Sequence, residues 1–391
     1  MTGSRLKQLR QARGLSLEAL AARMGAIVTR QALWKYEQGK SHPSALVVGK
    51  LAVALGVRSA ILWQEPAVQL RFVAYRKGSR LLKRDQEQVQ SKVTLALEDR
   101  LRLKERTGQS SELHLPVQGI AIVSVEDAER AAEELRNLWN LGIDPIASVT
   151  GILEDHDVHV IEIEADEKFD GISAVAEDEG GYVIGAAVVT RHGIAGERQR
   201  LDLTHELGHL VLNIPPEVDE EKAAFRFGAA FLAPRETILQ KVGKKRFSVQ
   251  LAELLLLKRS YGMSIQALLR RLRDVEIIPE SHYRQWCIQI NRLGFRKNEP
   301  DPLPPEQPQW LRRTVLRALA EGLLIREEAE SMLGEKVEMD QPLTLLERRA
   351  LMKLPLFERR RILAEQSEKI ASHYEEDTEW RELQVGDIVD Y

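Results

Sequence analysis

The stretch LDLTHELGHLVL, residues 201–212, constrains the fold of this chain more than any other segment. It places His205 and His209 four residues apart, with Glu206 directly after the first histidine. On an α-helix, residues at i and i+4 project from the same side one turn apart, so the two imidazoles can share one metal ion. Glu206 lies about 100° further round such a helix, close to the ion without facing it.

Paired imidazoles of this kind are typical ligands of tetrahedral zinc, which lowers the pKa of its bound water toward about 7. Glu206 is then placed to act as the general base. A catalytic zinc needs a third protein ligand, and the nearest acids lie in EVDEEK, residues 217–222. The alternatives are a structural helix with two surface histidines and a zinc ion that only stabilises the fold. We expect His156, His159 and His192 to be surface or loop residues outside the site.

The segment ERQRLDLTHELGHLVL, followed by EEKAAFRFGAAFLAP, resembles the ImmA/IrrE family of metallopeptidases. The resemblance covers roughly residues 120–300 and implies a zinc peptidase with a carboxylate third ligand on the following helix. Matching on Phe227 and Pro234 assigns that ligand to Glu221, with Glu220 as the second candidate. Phe225 stands where the family often has a polar residue. The implied substrate is a repressor or another regulatory protein; the alternative is a domain that only binds or senses.

The N-terminal stretch SLEALAARMGAIVTRQALWKYEQGK predicts two short helices, capped by Ser16 and Thr29 and ended by Gly25 and Gly39. The second helix of such a pair can lie in the major groove of DNA. There, arginine and glutamine side chains can hydrogen-bond to base edges, and lysine side chains can contact phosphates. The predicted DNA contacts are Thr29, Arg30, Gln31, Lys35 and Lys40.

This stretch resembles the XRE (Cro/repressor-like) family, which implies binding to a double-stranded DNA operator. Residues 1–65 carry ten Lys/Arg against three acids, a net of +7 that suits such a partner. The turn GAIVT is about two residues longer than usual in the family, and Trp34 stands where a small residue is common. The alternative is a helical bundle used for dimerisation, and a homodimer is among the expected assemblies.

The pattern as a whole predicts an α+β multidomain protein. It combines an N-terminal all-α helix-turn-helix bundle, a central mainly helical zinc-peptidase domain with a small β-sheet, and C-terminal helices. The predicted boundaries are 1–65 for the DNA-binding domain, 66–118 for a strand and long-helix connector, 119–298 for the peptidase domain, 299–309 for a Pro-rich linker, 310–340 for a helical hairpin and 341–391 for a tail.

The tail, residues 341–391, resembles small antitoxin-like modules, which implies a cognate toxin as a further partner. The alternative is an ordinary docking segment or a disordered tail. Its last residues, 370–391, carry seven acids against one arginine, a net of −6. A basic head and an acidic tail indicate two different partners.

Cys287 is the single cysteine, so no intrachain disulfide can form and a reducing compartment is favoured. No apolar run approaches the roughly 20 residues that span a bilayer, and the N-terminus lacks an apolar signal core. The sequence therefore predicts a cytoplasmic protein without a membrane partner.

Overall fold

The computed structural model describes residues 2–65, 68–73, 81–109, 113, 115–116 and 118–337, and residues 355, 358–361 and 364. The chain divides into two units, Met1–Gly334 and Glu335–Tyr391. The predicted antitoxin-like tail lies almost entirely outside the described residues, and its proposed role remains a prediction. In the described part of the chain, no helix has the length and apolar character needed to cross a bilayer.

The N-terminal part is a helical bundle: α1 (Gly3–Ala12), α2 (Leu17–Arg23), α3 (Arg30–Glu37), α4 (Ala45–Leu55) and a 3-10 helix, Ser59–Trp63. The predicted caps are present, since Ser16 Oγ accepts from Ala19 N and Thr29 Oγ1 from Ala32 N. The core of the bundle is separate from those of the other domains and is built mainly of leucines: Leu6, Leu9, Leu20, Leu33, Leu51, Leu55 and Leu62.

The connector contributes β1 (Gln69–Phe72) and α5 (Lys83–Arg106). α5 contacts α1 on one side and the strands of the central sheet on the other. At the first contact, Arg5 Nη1 donates to Glu98 Oε2 at 2.6 Å, with both side chains 1% exposed. Removing one partner of such a buried pair typically costs about 3–5 kcal/mol, so this contact fixes the bundle on α5.

The remaining elements follow in chain order: β2 (Ile120–Ala121), α6 (Asp127–Leu138), α7 (Val149–Asp155), β3 (Val158–Ile163), β4 (Gly171–Glu177), β5 (Val183–Arg191), α8 (Gly196–Val211), β6 (Leu212–Asn213), α9 (Glu220–Leu232), α10 (Arg235–Val242), α11 (Leu251–Tyr261), α12 (Ile265–Asp274), α13 (Glu280–Leu293), α14 (Trp310–Ala320) and α15 (Arg326–Leu333). The α+β organisation predicted from the sequence is confirmed. Helices α14 and α15 contact each other and are called the α14–α15 hairpin below.

The central sheet has the strand order β1-β4-β5-β3, with β3 parallel to β5 and the other neighbours antiparallel. Successive residues of a strand face opposite sides of a sheet. Accordingly Val188 belongs to the core shared with α8 and α9, whereas Val189 belongs to the core under α5. The sheet is therefore covered on both faces, which suits its almost uninterrupted apolar strands.

Residues 299–309, interpreted from their prolines as a linker, bond closely to the first turns of α8. Gly196 N donates to Leu303 O at 2.9 Å, and Leu303 N donates to Glu197 Oε2 at 2.9 Å. The Gln199 side chain exchanges two hydrogen bonds with the backbone of Glu306. This segment therefore joins the α14–α15 hairpin to the helix that carries the two histidines.

Candidate metal centre and recognition helix

The candidate metal-binding motif, HELGH, lies on a deeply buried helix, α8. His205, Glu206 and His209 occupy the C-terminal half of α8 and are 2%, 4% and 3% exposed, respectively. The helix forms because leucines on its other faces, among them Leu203 and Leu207, are fully buried in the core. Burial of this kind excludes most of the water and strengthens the electrostatic interactions of the three side chains.

Helix α9 approaches α8 closely enough to bring its first turn to the histidines. Two glycines permit this approach, one on each helix. A Cβ added at Gly208 would lie 3.1 Å from Phe227 Cδ1, and one added at Gly228 would lie 3.0 Å from His205 N. A larger side chain at either position would therefore push the two helices apart.

The histidine rings and Glu221 converge on one point. His205 Nε2 and His209 Nε2 are 3.2 Å apart. Glu221 Oε2 lies 3.6 Å from His205 Nε2, and Glu221 Oε1 lies 3.9 Å from His209 Nε2. Among the described residues, these three form the one group of metal-ligating side chains whose donor atoms all lie within 4.8 Å of one another.

The donor set fits zinc. Two imidazole nitrogens bonded to one tetrahedral zinc at about 2.0–2.1 Å are about 3.3 Å apart, close to the separation of the two Nε2 atoms. Two imidazoles with one carboxylate are also the ligand set of known zinc peptidases, which leave one position open for water or substrate. Glu221 keeps 40% of its side chain exposed, so the group is open to solvent on that side.

Glu220, the second candidate for the third ligand, faces the other nitrogen of a histidine ring. Its Oε1 lies 3.1 Å from His209 Nδ1. A carboxylate in this position can accept a hydrogen bond from Nδ1–H, which favours the tautomer whose unprotonated Nε2 can bind a metal. Glu220 and Glu221 thus face different nitrogens of the histidine rings: Glu220 faces Nδ1 of His209, and Glu221 faces the two Nε2 atoms.

Two further side chains shape the surroundings of the site. Glu206 packs against the beginning of β4, where a Cβ added at Gly171 would lie 3.1 Å from Glu206 Cγ and Oε1. Phe225, which departs from the polar residue common in the resembled family, lies over His205 with ring centroids 4.0 Å apart. One side of the His205 ring is therefore apolar.

The three histidines that were predicted to lie outside the site have different surroundings. His192 is exposed, and His156 stacks on Trp139 with ring centroids 4.2 Å apart. The prediction of a surface or loop position is wrong for His159, which is 3% exposed within β3 and meets Trp310 edge-on. Burial holds the pKa of His159 well below its ordinary value, and the nearby charges of Arg100 and Lys104 lower that pKa further.

The predicted DNA contacts lie on one open surface. All five residues are exposed on α3, at its N-terminal cap or just after its end: Thr29, Arg30, Gln31, Lys35 and Lys40. Trp34 is 44% exposed on the same helix, and Lys40 Nζ lies 4.4 Å from the centre of its ring. Trp34, which stands where the resembled family commonly has a small residue, therefore forms part of the exposed face of α3.

The turn before α3 is held in place by its own side chains. Val28 is 7% exposed and belongs to the bundle core. Ala26 adopts a left-handed backbone conformation with φ 56°. The longer turn GAIVT thus remains compatible with a packed helix-turn-helix. Arg30 is held near α2 by an ion pair with Glu18 at 2.7 Å, in which both side chains are mostly exposed.

Two family models match the chain. Residues 6–62 match a model described as Helix-turn-helix, and residues 154–273 match a peptidase-family model described as IrrE N-terminal-like domain. A comparison with curated proteins finds no match. The two matches confirm the resemblances drawn from the N-terminal and central segments.

Proposed function

Because the chain joins a helix-turn-helix domain to an IrrE-like domain of a peptidase family, we propose that it is a DNA-binding regulator with zinc-dependent peptidase activity. The observation that carries the enzymatic part is the convergence of His205, His209 and Glu221 around one point. We assign these residues as the zinc ligands and Glu206 as the catalytic base. The substrate class is protein, specifically a repressor or another regulatory protein.

The residues of the site would have distinct roles in peptide hydrolysis. A zinc ion bound by the three ligands would polarise the scissile carbonyl and acidify water. The Glu206 carboxylate would take a proton from the attacking water and then deliver it to the leaving amide nitrogen. Glu220 would hold His209 in the tautomer that presents Nε2, because its carboxylate lies at Nδ1. Phe225 would limit access of water along the His205 ring.

The DNA-binding part of the proposal rests on the outer face of α3. Arg30 and Gln31 are placed in the first turn, where a recognition helix meets base edges in the major groove. Lys35 and Lys40 would contact phosphates. The buried ion pair of Arg5 and Glu98 holds the helix-turn-helix bundle against α5. This contact supports the proposal that DNA binding and peptidase activity belong to one folded unit. A cognate toxin bound by residues 341–391 and a homodimer remain proposals based on the sequence alone.

The decisive experiment combines metal analysis with a cleavage screen. The zinc-loaded protein is incubated with a proteome-derived peptide library, and cut sites are identified by mass spectrometry. We expect one zinc per chain and a defined set of cut sites for the unmodified protein. Glu206→Gln should retain the zinc and lose the cuts, since it removes the base without removing a ligand. Glu134→Gln, which removes the same charge from the exposed side of α6, should behave like the unmodified protein.

Each result separates the proposal from an alternative. Absence of bound zinc in the unmodified protein would contradict the ligand assignment. Bound zinc without any cut site would favour a domain that only binds or senses. Cuts that persist in Glu206→Gln would show that another group acts as the base.

A further inference from the structure

A cleft lies between the DNA-binding domain and the helices packed beside it. Its walls come from the segment around the 3-10 helix Ser59–Trp63, from α5 and from the α14–α15 hairpin. Its volume is about 210 Å³, below the roughly 300–1,000 Å³ of pockets for drug-sized molecules. The lining is partly apolar, from Ile61, Leu103 and Leu324. Space and lining suit a small molecule.

Three arginines line this cleft. Arg58 precedes the 3-10 helix, while Arg102 and Arg106 lie one turn apart on α5. Residues at i and i+4 share a helix face, so both α5 guanidinium groups reach the same space. Arg102 is oriented by the DNA-binding domain, because its Nη1 donates to Gln64 Oε1 at 2.7 Å.

The acids near the cleft pair with the arginines at distances of 3.6–3.9 Å. Glu328 is the nearest acid to two of them: its Oε1 lies 3.9 Å from Arg58 Nη1, and its Oε2 lies 3.6 Å from Arg106 Nη1. Asp99 Oδ1 lies 3.9 Å from Arg102 Nη1, and Glu98 Oε2, which accepts from Arg5, lies 3.9 Å from Arg102 Nη2. These distances exceed those of hydrogen bonds. Glu328 instead accepts from Ile325 N at 3.3 Å and caps its own helix.

We propose that this cleft binds a small phosphate-bearing anion. Guanidinium groups match phosphate oxygens with paired hydrogen bonds. The three arginines outnumber the acids that line the cleft, Asp99 and Glu328, and the other nearby acid, Glu98, is paired with Arg5. The apolar residues would receive a short organic group attached to the phosphate. The bound molecule would contact the DNA-binding domain, α5 and the hairpin at once. The site lies apart from the histidine pair and from the exposed face of α3, and it does not depend on either proposed activity.

Phenyl phosphate is a suitable probe, because it combines a phosphate with a small apolar ring and chelates zinc only weakly. Its binding to the full-length zinc-loaded protein is measured by isothermal titration calorimetry at low ionic strength. We expect saturable binding at one site, and no binding of phenol at the same concentration. Arg58→Gln and Arg106→Gln should each weaken binding at least tenfold. Glu328→Gln, which can keep the capping contact, should tighten binding several-fold because it removes a competing carboxylate.

Two controls locate the site. Arg292→Gln removes one exposed arginine from α13 and should leave binding unchanged. The double variant Arg30→Gln, Lys35→Gln removes positive charge from the exposed face of α3 and should also leave it unchanged. Thermal melts and circular dichroism verify that each variant is folded. The proposal would be overturned if the unmodified protein shows no detectable binding, or if the Arg58 and Arg106 variants bind as tightly as the unmodified protein. Loss of binding in the α3 double variant would also overturn it.

Discussion

Replacement of Gly228 by alanine should loosen the contact between α8 and α9 and weaken the metal site. The added Cβ would lie 3.0 Å from His205 N and Thr204 Oγ1 and 3.1 Å from Thr204 C. Ordinary heavy-atom contacts are about 3.5–4.0 Å, so the helices must separate by roughly half an ångström. Overpacking of this kind costs about 1–3 kcal/mol.

A matched substitution, Gly49→Ala, corrects for the helix propensity that is gained when alanine replaces glycine. Alanine is favoured over glycine within a helix by about 1 kcal/mol, which partly offsets the overpacking. Gly49→Ala in α4 gains the same propensity, and its Cβ would meet no atom within 4 Å. The free energy of unfolding should therefore be about 1–3 kcal/mol lower for Gly228→Ala than for Gly49→Ala.

The assay has two readouts. Urea denaturation followed by circular dichroism gives the unfolding free energies of the metal-free proteins. Competition with a chromophoric chelator gives zinc affinity, which should fall about tenfold or more in Gly228→Ala because Glu221 moves away from both Nε2 atoms. The close-contact argument is refuted if Gly228→Ala is as stable as Gly49→Ala and binds zinc with unchanged affinity.

Three further predictions follow from individual side chains. Glu220→Gln should keep zinc with an affinity lowered about 10–100-fold, whereas Glu221→Gln should lower it further; the same chelator competition tests the order, and the reverse order would exchange their roles. Burial lowers the pKa of His159 in the folded protein. Its contribution to the free energy of unfolding is therefore present above the unfolded-state pKa of about 6.5. That contribution is lost as the pH falls toward the lower pKa of the folded state. Unfolding free energy should therefore fall below pH 6.5 by up to about 1.4 kcal/mol per pH unit, and the slope should be smaller in His159→Asn, as measured by urea denaturation from pH 7 to pH 5. Lys35→Ala should weaken DNA binding in gel shifts and reduce the slope of log affinity against log salt by about 0.9; an unchanged slope would show that Lys35 does not contact phosphate.

Local features of the sequence were sufficient for much of the fold. Ser16 and Thr29 were recognisable as caps because the side-chain oxygen and the amide it accepts from are three residues apart. The apolar runs of 158–163 and 183–191 form β3 and β5, and their β-branched residues favour strands. The spacing of His205 and His209 placed both imidazoles on one helical face for the same reason: the helical repeat alone fixes it.

Residues 171–177, which form β4, are a strand that local sequence pattern does not indicate. The stretch GISAVAE contains alanines and a glycine, which have little intrinsic preference for strands. It forms a strand because it lies between β1 and β5 and hydrogen-bonds to both. Residues 299–309 were similarly interpreted from their prolines, although their backbone and acids find partners on α8 and α11.

The sequence by itself determined the two domains, the caps of α2 and α3 and the residue types able to hold zinc. Only the tertiary structure showed that Glu221 faces the Nε2 atoms while Glu220 faces Nδ1 of His209, because adjacent residues on a helix point about 100° apart and the partner helix decides which nitrogens each one meets. The burial of His159 and the meeting of Arg58 with Arg102 and Arg106 were decided in the same way. Local rules describe a side chain by its neighbours along the chain, whereas burial, charge pairing and ligand geometry depend on residues brought together by the packing of distant elements.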